Sequence, residues 1–191
     1  MGCYVADEFS LRIWGARGST PTPGASILRY GGETTCFEIR AGDALVLVDC
    51  GSGARNFGMG LSNSEPLKFD LLFTHTHLDH ICGLPFFRPA FDPRFEINAW
   101  AGHFQDHTSL VDIVSRIMSP PIFPVAANTL KAVNFKTFNA GDQLPRDDGL
   151  VIRTVRLNHP GGACGYRFDF TGKSICIITD HEHGNPEIDA N

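Results

Sequence analysis

Thr74-His75-Thr76-His77-Leu78-Asp79-His80 follows directly on the apolar run Phe69-Asp70-Leu71-Leu72-Phe73 and packs three imidazoles and a carboxylate into six residues. Neighbouring imidazoles repel one another whenever they protonate, so crowding them is costly unless a cation offsets the cost. A divalent metal site is the economical explanation. In an extended segment, side chains two apart point the same way, so His75 and His77 can grip one ion together. Asp79 and His80 lie past the turn and face a second ion from the adjacent side, which makes the pattern one for two metals.

Two further islands carry similar groups. His159 stands in Asn158-His159-Pro160-Gly161-Gly162, and Asp180 follows the β-like run Ile175-Cys176-Ile177-Ile178-Thr179. Both sit at strand ends, where loops assemble sites; Asp180 can bridge two cations and His159 can complete the first set of imidazoles. His103 and His107 flank the start of a helix and read as surface or capping residues. His181 and His183 stand in a polar tail beside Asp180 and read as exposed residues, with contact to metal or substrate as the alternative. Arg17 reads as a solvated or structural loop cation, and Gly51-Ser52-Gly53 as a weak candidate for backbone donors to a phosphate.

Short β-like runs separated by Gly, Pro and Asp turns dominate the chain. Strands are expected over residues 11–14, 35–40, 44–49, 69–74, 95–100, 133–138, 151–156, 166–170 and 175–179, with hairpin turns at Ala41-Gly42-Asp43 and Thr171-Gly172-Lys173. Leu110, Ile113, Val114, Ile117 and Met118 follow the spacing of one apolar helix face, and Pro120-Pro121 stops that helix. A second helix is expected to open at Asp79 or His80 and run toward Leu84. Strands forming a sheet with helices outside give a layered α/β architecture. No helix follows the last strand, so its sheet edge is expected to need covering, by more chain or by a partner.

At 191 residues, with 42% hydrophobic and 19% charged residues, the chain has the composition of a globular protein with a sizeable core. The net charge of −5 argues against non-specific nucleic-acid binding, which calls for a basic face. No apolar run of about 18 residues is present, which argues against a membrane span. The first residues lack the basic and apolar regions of a secretory signal, and the expected location is the cytoplasm. Cys3, Cys36, Cys50, Cys82, Cys164 and Cys176 show no Cys-x-x-Cys spacing and read as buried, reduced thiols.

The order His-x-His-x-Asp-His, a distant His and a distant Asp resembles the metallo-β-lactamase fold superfamily. The opening Ile13-Trp14-Gly15-Ala16-Arg17-Gly18-Ser19-Thr20-Pro21, the segment Arg29-Tyr30-Gly31-Gly32-Glu33-Thr34-Thr35-Cys36 and the turn Val48-Asp49-Cys50-Gly51-Ser52-Gly53 are similar to its phosphodiesterase-like branch. That branch includes ribonuclease Z and the phosphodiesterase of the carbon–phosphorus lyase pathway. The resemblance implies an αββα sandwich of two β-sheets with outer helices, as one domain over residues 1–191. It implies His75, His77 and His159 at the first metal, Asp79 and His80 at the second, and Asp180 bridging. It also implies a further ligand histidine well beyond the bridging position, which this sequence does not reach; the domain is therefore expected to be cut short after Asp180. Asp49 resembles a supporting carboxylate that fixes a ligand histidine, the alternative being a plain turn residue before glycine.

The activity implied is that of a binuclear metal-dependent hydrolase cleaving a small-molecule or nucleotide phosphodiester. Two cations about 3.5–4 Å apart would generate a bridging hydroxide nucleophile, with Asp79 orienting it or shuttling its proton. Imidazole and carboxylate donors without thiolate suit zinc first, with manganese or iron as alternatives. Other readings of the same scaffold are a thioester or lactone hydrolase, a mononuclear iron dioxygenase, or a metal- or ligand-binding domain without turnover. No basic, Gly/Pro-rich insertion is seen that would clamp a transfer RNA. A homo-oligomer or another partner could cover the C-terminal edge.

Overall fold

The computed structural model describes residues 8–61, 67–104 and 108–185. The hairpin turn at Gly42 starts the first sheet, joining β2 (Cys36–Ala41) to β3 (Ala44–Val48), while β1 (Phe9–Gly15) pairs with the far side of β2. From β3 onward the sheet is parallel, through β4 (Lys68–Phe73), β5 (Glu96–Ala101) and β6 (Val133–Thr137), in spatial order β1-β2-β3-β4-β5-β6. The sequence of β3, Ala-Leu-Val-Leu-Val, is buried throughout, as a strand covered on both faces requires.

The second sheet is an antiparallel meander of β7 (Gln143–Leu144), β8 (Val151–Leu157), β9 (Ala163–Phe170) and β10 (Lys173–Ile177), in order β10-β9-β8-β7. Thr171 and Gly172 both have positive φ, the geometry that matches the twist of a two-residue hairpin. Ile39, Val46, Val48 and Leu72 from the first sheet form one apolar layer with Leu144, Ile152, Tyr166, Phe168 and Ile177 from the second. The two sheets therefore stack face to face.

The opposite face of the first sheet carries the helices. In α1 (Ala54–Gly60), Phe57 stacks on Phe87 and meets Trp14 and Phe69 edge-on. Next along the chain is α2 (Leu78–Ile81), a single turn followed by two 3₁₀ turns, Leu84–Phe86 and Arg88–Phe91. The expected amphipathic helix is α3 (Leu110–Ile117), opened by a reciprocal Ser109/Asp112 cap, with Leu110, Val114 and Met118 buried. The sequence pattern did not reveal α1, because its Ala-Arg-Asn-Phe-Gly-Met-Gly has two glycines where propensity favours other residues. Gly58 is there for packing: a Cβ at that position would lie 2.9 Å from the Phe87 ring. The two-residue β7 is likewise too short to leave a period.

The two-sheet α/β architecture matches the expectation, with one difference. Among the described residues, helices cover only the first sheet, and the outer face of the β7–β10 sheet carries none. Cys176 lies on that outer face and is exposed, contrary to its reading as a buried thiol, while Cys36, Cys50 and Cys164 are buried as expected. Cys3 lies outside the described residues. Among the described residues, no helix is long and apolar enough to cross a membrane.

The sheets are joined by polar contacts as well as by the apolar layer. The buried Tyr166 hydroxyl on β9 donates to the Phe73 carbonyl at the end of β4, at 2.6 Å. Tyr166→Phe leaves that carbonyl without this donor and should lower the unfolding free energy by about 1–2 kcal/mol, measured by urea denaturation. Arg153→Ala, at an exposed pair with Asp169, should change it by less than about 1 kcal/mol.

Candidate metal centre

Parallel strands bring their carboxyl ends to one edge of a sheet, and the loops beyond those ends form the natural place for a site. The ends of β3, β4 and β5 carry Asp49, then His75 and His77, then His103. From the second sheet, the loop after β8 brings His159 and the segment after β10 brings Asp180. Asp79 and His80 lie on α2, which starts immediately after His77.

The residues separated furthest in sequence do meet. Donor atoms of His75, His77 and His159 lie within 4.8 Å of one another, and so do those of His75, His80 and Asp180. His159 Nε2 is 3.0 Å from His77 Nδ1, and Asp180 Oδ2 is 3.2 Å from His80 Nε2. His75 is shared between the two groups. Asp79 stands apart from both: its Oδ2 is 3.6 Å from His80 Nε2 and accepts the Ser19 amide at 2.7 Å.

Asp49 organises the rear of the cluster. It is fully buried and follows β3 with φ of 61°, a left-handed conformation that Asp tolerates better than most residues. Its Oδ1 accepts the Thr74 amide at 2.7 Å, while its Oδ2 accepts the Thr74 hydroxyl at 2.8 Å and lies 2.8 Å from His80 Nδ1. This contact holds His80 with Nδ1 toward Asp49 and Nε2 toward Asp79 and Asp180. Burial works against a charged His80, but the hydrogen bond to Asp49 and its charge, then the charges of Asp79 and Asp180, outweigh burial and raise the imidazole's pKa. Behind α2, a Cβ on Gly51 would lie 2.3 Å from the Asp79 carbonyl, so only glycine lets this turn approach.

His75 is the opposite case. Burial, then the neighbouring imidazoles of His80, His77, His159 and His103, drive its pKa down to about 2, so it is neutral at any ordinary pH. The Thr74 hydroxyl donates to Asp49 and can thus accept from His75 Nδ1, 3.2 Å away. That leaves His75 Nε2 as the lone-pair nitrogen, and it is buried with no hydrogen-bond partner. An orphaned buried acceptor at the junction of two imidazole and carboxylate groups fits a cation, since buried polar atoms are otherwise almost always paired.

Other expectations are corrected. His103 is buried rather than at the surface: its Nε2 lies 3.1 Å from Thr76 Oγ1 and its ring packs on Phe104. The parallel register pairs Phe73 with Ala101, so the residue two past Ala101 falls beside the His75–His77 segment. That pairing was the missing signal. His107 lies outside the described residues. The backbone donors of Gly51-Ser52-Gly53 are already spent on Thr35 O, Thr34 Oγ1 and Thr34 O, and the Arg17 Nε donates to Thr20 O. Those three amides are therefore not free for a phosphate. His181 accepts from the Asn158 amide, and neither it nor His183 belongs to the two donor groups. Glu182, which the sequence did not single out, lies 3.1 Å from His159 Nδ1.

A sandwich with a mixed sheet and imidazoles and carboxylates gathered at one edge of both its sheets defines the class of metal-binding α/β sandwiches. The chain belongs to the metallo-beta-lactamase superfamily, whose family model matches residues 29–190. Membership implies divalent-cation binding. A curated relative, ribonuclease Z of Clostridium tetani (strain Massachusetts / E88), is 27% identical over 181 residues, covering 85% of this chain and 51% of its own. The chain thus spans about half the length of the curated relative it matches. Human tRNase Z, short form, has the same fold with a TM-score of 0.59 at 20% identity, over 88% of this chain and 68% of that one. A diphosphatase of the PhnP family aligns with a TM-score of 0.61 at 19% identity, over 84% and 62% of the two chains.

His103 makes a testable contribution to stability. Burial, then the charge of His77, lowers its pKa from 6.5 to about 4. As pH falls below 6.5 the unfolded chain takes up this proton before the folded one, so stability drops until about pH 4. The slope from this residue approaches about 1.4 kcal/mol per pH unit. In metal-free protein, His103→Leu should flatten the pH dependence of unfolding free energy by up to that amount between pH 6.5 and 4; an unaltered slope contradicts the assignment.

Proposed function

We propose that this chain is a metal-dependent hydrolase that cleaves a phosphodiester at a two-cation centre. The observation that carries the proposal is the meeting of donors from three separated loops around His75, whose buried Nε2 has no protein partner. The relatives support the substrate class: ribonuclease Z, tRNase Z and a diphosphatase each bear names that describe phosphate-ester or phosphoanhydride chemistry.

In this reading His75, His77 and His159 would hold the first cation, His80 and Asp79 the second, and Asp180 would stand between them. The donor set of imidazole and carboxylate without thiolate suits zinc, with manganese and iron as alternatives. When bound, the cations supply Lewis acidity toward the phosphoryl oxygens and a water acidic enough to ionise near neutral pH. The remaining work falls to the chain. Asp49 accepts the Nδ1–H of His80 and keeps its Nε2 lone pair directed into the site. The Ser19 amide holds Asp79 Oδ2, which leaves Oδ1 to orient the attacking water and receive its proton. Ile81, the last residue of α2, and Leu84 just past it are buried in the apolar layer behind the first sheet, which anchors the turn that carries Asp79 and His80.

The experiment is metal analysis combined with hydrolysis of bis-(p-nitrophenyl) phosphate. Wild-type protein should hold two equivalents of divalent cation and turn the ester over. His77→Ala should lose the first cation and reduce hydrolysis by at least about 10³-fold, the scale of losing an essential group. Normal metal content in the His77 variant would refute the ligand assignment. A single equivalent of iron with oxygen consumption on a persulfide would replace the hydrolase by a dioxygenase.

A further inference from the structure

Glu182 belongs to neither donor group, yet it is what touches the far side of His159. Its Oε1 lies 3.1 Å from His159 Nδ1. The backbone around it is fastened to the same loop: the Glu182 amide donates to Asn158 O at 2.8 Å, and Asn158 Nδ2 donates to Glu182 O at 2.6 Å. The Asn158 amide in turn donates to His181 Nδ1 at 3.3 Å. Four contacts between residues 158–159 and 181–182 thus tie together two loops that are far apart in sequence. One loop carries an imidazole of the His75/His77/His159 group and the other carries Asp180, of the His75/His80/Asp180 group.

Two of the other imidazoles in the cluster have support behind them. His80 Nδ1 rests on buried Asp49, and His75 Nδ1 on the Thr74 hydroxyl. For His159 the corresponding partner is Glu182. A carboxylate that accepts a hydrogen bond from Nδ1–H keeps the ring proton on Nδ1, which leaves the lone pair on Nε2, and Nε2 is the nitrogen that meets His77. Glu182 reaches in from the solvent side, with its side chain 59% exposed, whereas His159 is 13% exposed. A carboxylate so exposed adds little to folding stability, so its effect should be felt by the centre rather than by the fold.

We propose that Glu182 is a positioning residue for the three-imidazole group: by accepting the Nδ1–H of His159 it fixes the ring's tautomer and orientation and so sets the affinity for the cation held there. The proposal rests on the metal-centre reading above, and its test separates the two. Metal-free wild type, Glu182→Ala and Glu182→Gln are titrated with Co(II) against a competing chelator, following the ligand-field absorption, and their thermal unfolding is compared. In Glu182→Ala one of the two Co(II) ions should bind about 10–100-fold more weakly, the usual cost of removing a carboxylate behind a ligand histidine. The second ion and the unfolding midpoint of the metal-free protein should be unchanged. Glu182→Gln keeps an acceptor oxygen and should stay within a few-fold of wild type. Wild-type binding of both ions by Glu182→Ala, or an equal loss in the Gln variant, overturns the role of Glu182 while leaving the metal centre intact. Failure of the wild type to bind Co(II) overturns the metal centre and this role with it.

Discussion

A carboxylate with no solvent exposure must find its compensation inside the protein, and Asp49 finds all of it in the segment that carries the site. Its two oxygens take the amide and hydroxyl of Thr74 and face Nδ1 of His80. Thr74 is the residue just past β4, and His80 is the buried end of the turn that follows. Through this one group the end of β3 dictates where β4 stops, how α2 leaves it and which nitrogen His80 presents. The left-handed backbone of Asp49 and the close approach over Gly51 are the local costs of that arrangement.

The second sheet completes what the first begins. Cys164 donates its amide to the Thr74 carbonyl and Tyr166 donates its hydroxyl to the Phe73 carbonyl, so β9 is pinned to the last residues of β4. With β9 fixed there, its neighbours β8 and β10 end at the same edge, and the loops beyond them reach His75 with His159 and Asp180. The sandwich is thus held together by apolar area over most of its width. At the functional edge it is held by directional polar contacts, which set positions more narrowly than packing does.

Much of this was legible in the sequence. Nine strands appear within a residue or two at most ends, the exception being the start of β9, because period-2 runs and Gly-rich turns leave a local imprint. The helix at Leu110 was announced by its stripe and by Pro120-Pro121 after it, while its Ser109 cap came to light only in the structure. Of the six donor residues named from spacing and resemblance, five (His75, His77, His80, His159 and Asp180) fall into the two close groups. What escaped was what depends on register or burial. His103 looked like a helix-flanking surface residue until the pairing of β4 with β5 put it beside Thr76. Asp79 followed the motif, yet its carboxylate turns to the Ser19 amide rather than joining either close group. Glu182 has no pattern of its own; only the Asn158 clamp brings it to His159. Cys176 sits in an apolar run, but alternation turned it outward.

No candidate ligand lies within a strand. Every one follows a strand's last residue or sits on the short turn after it, while the buried layers are built from different positions altogether. Interior and chemistry are therefore built largely from separate residues, which meet at the Tyr166 and Cys164 contacts to the end of β4. A lineage carrying this sandwich can remodel the rims that greet a substrate, lengthening or exchanging them, while its ion cradle stays in place.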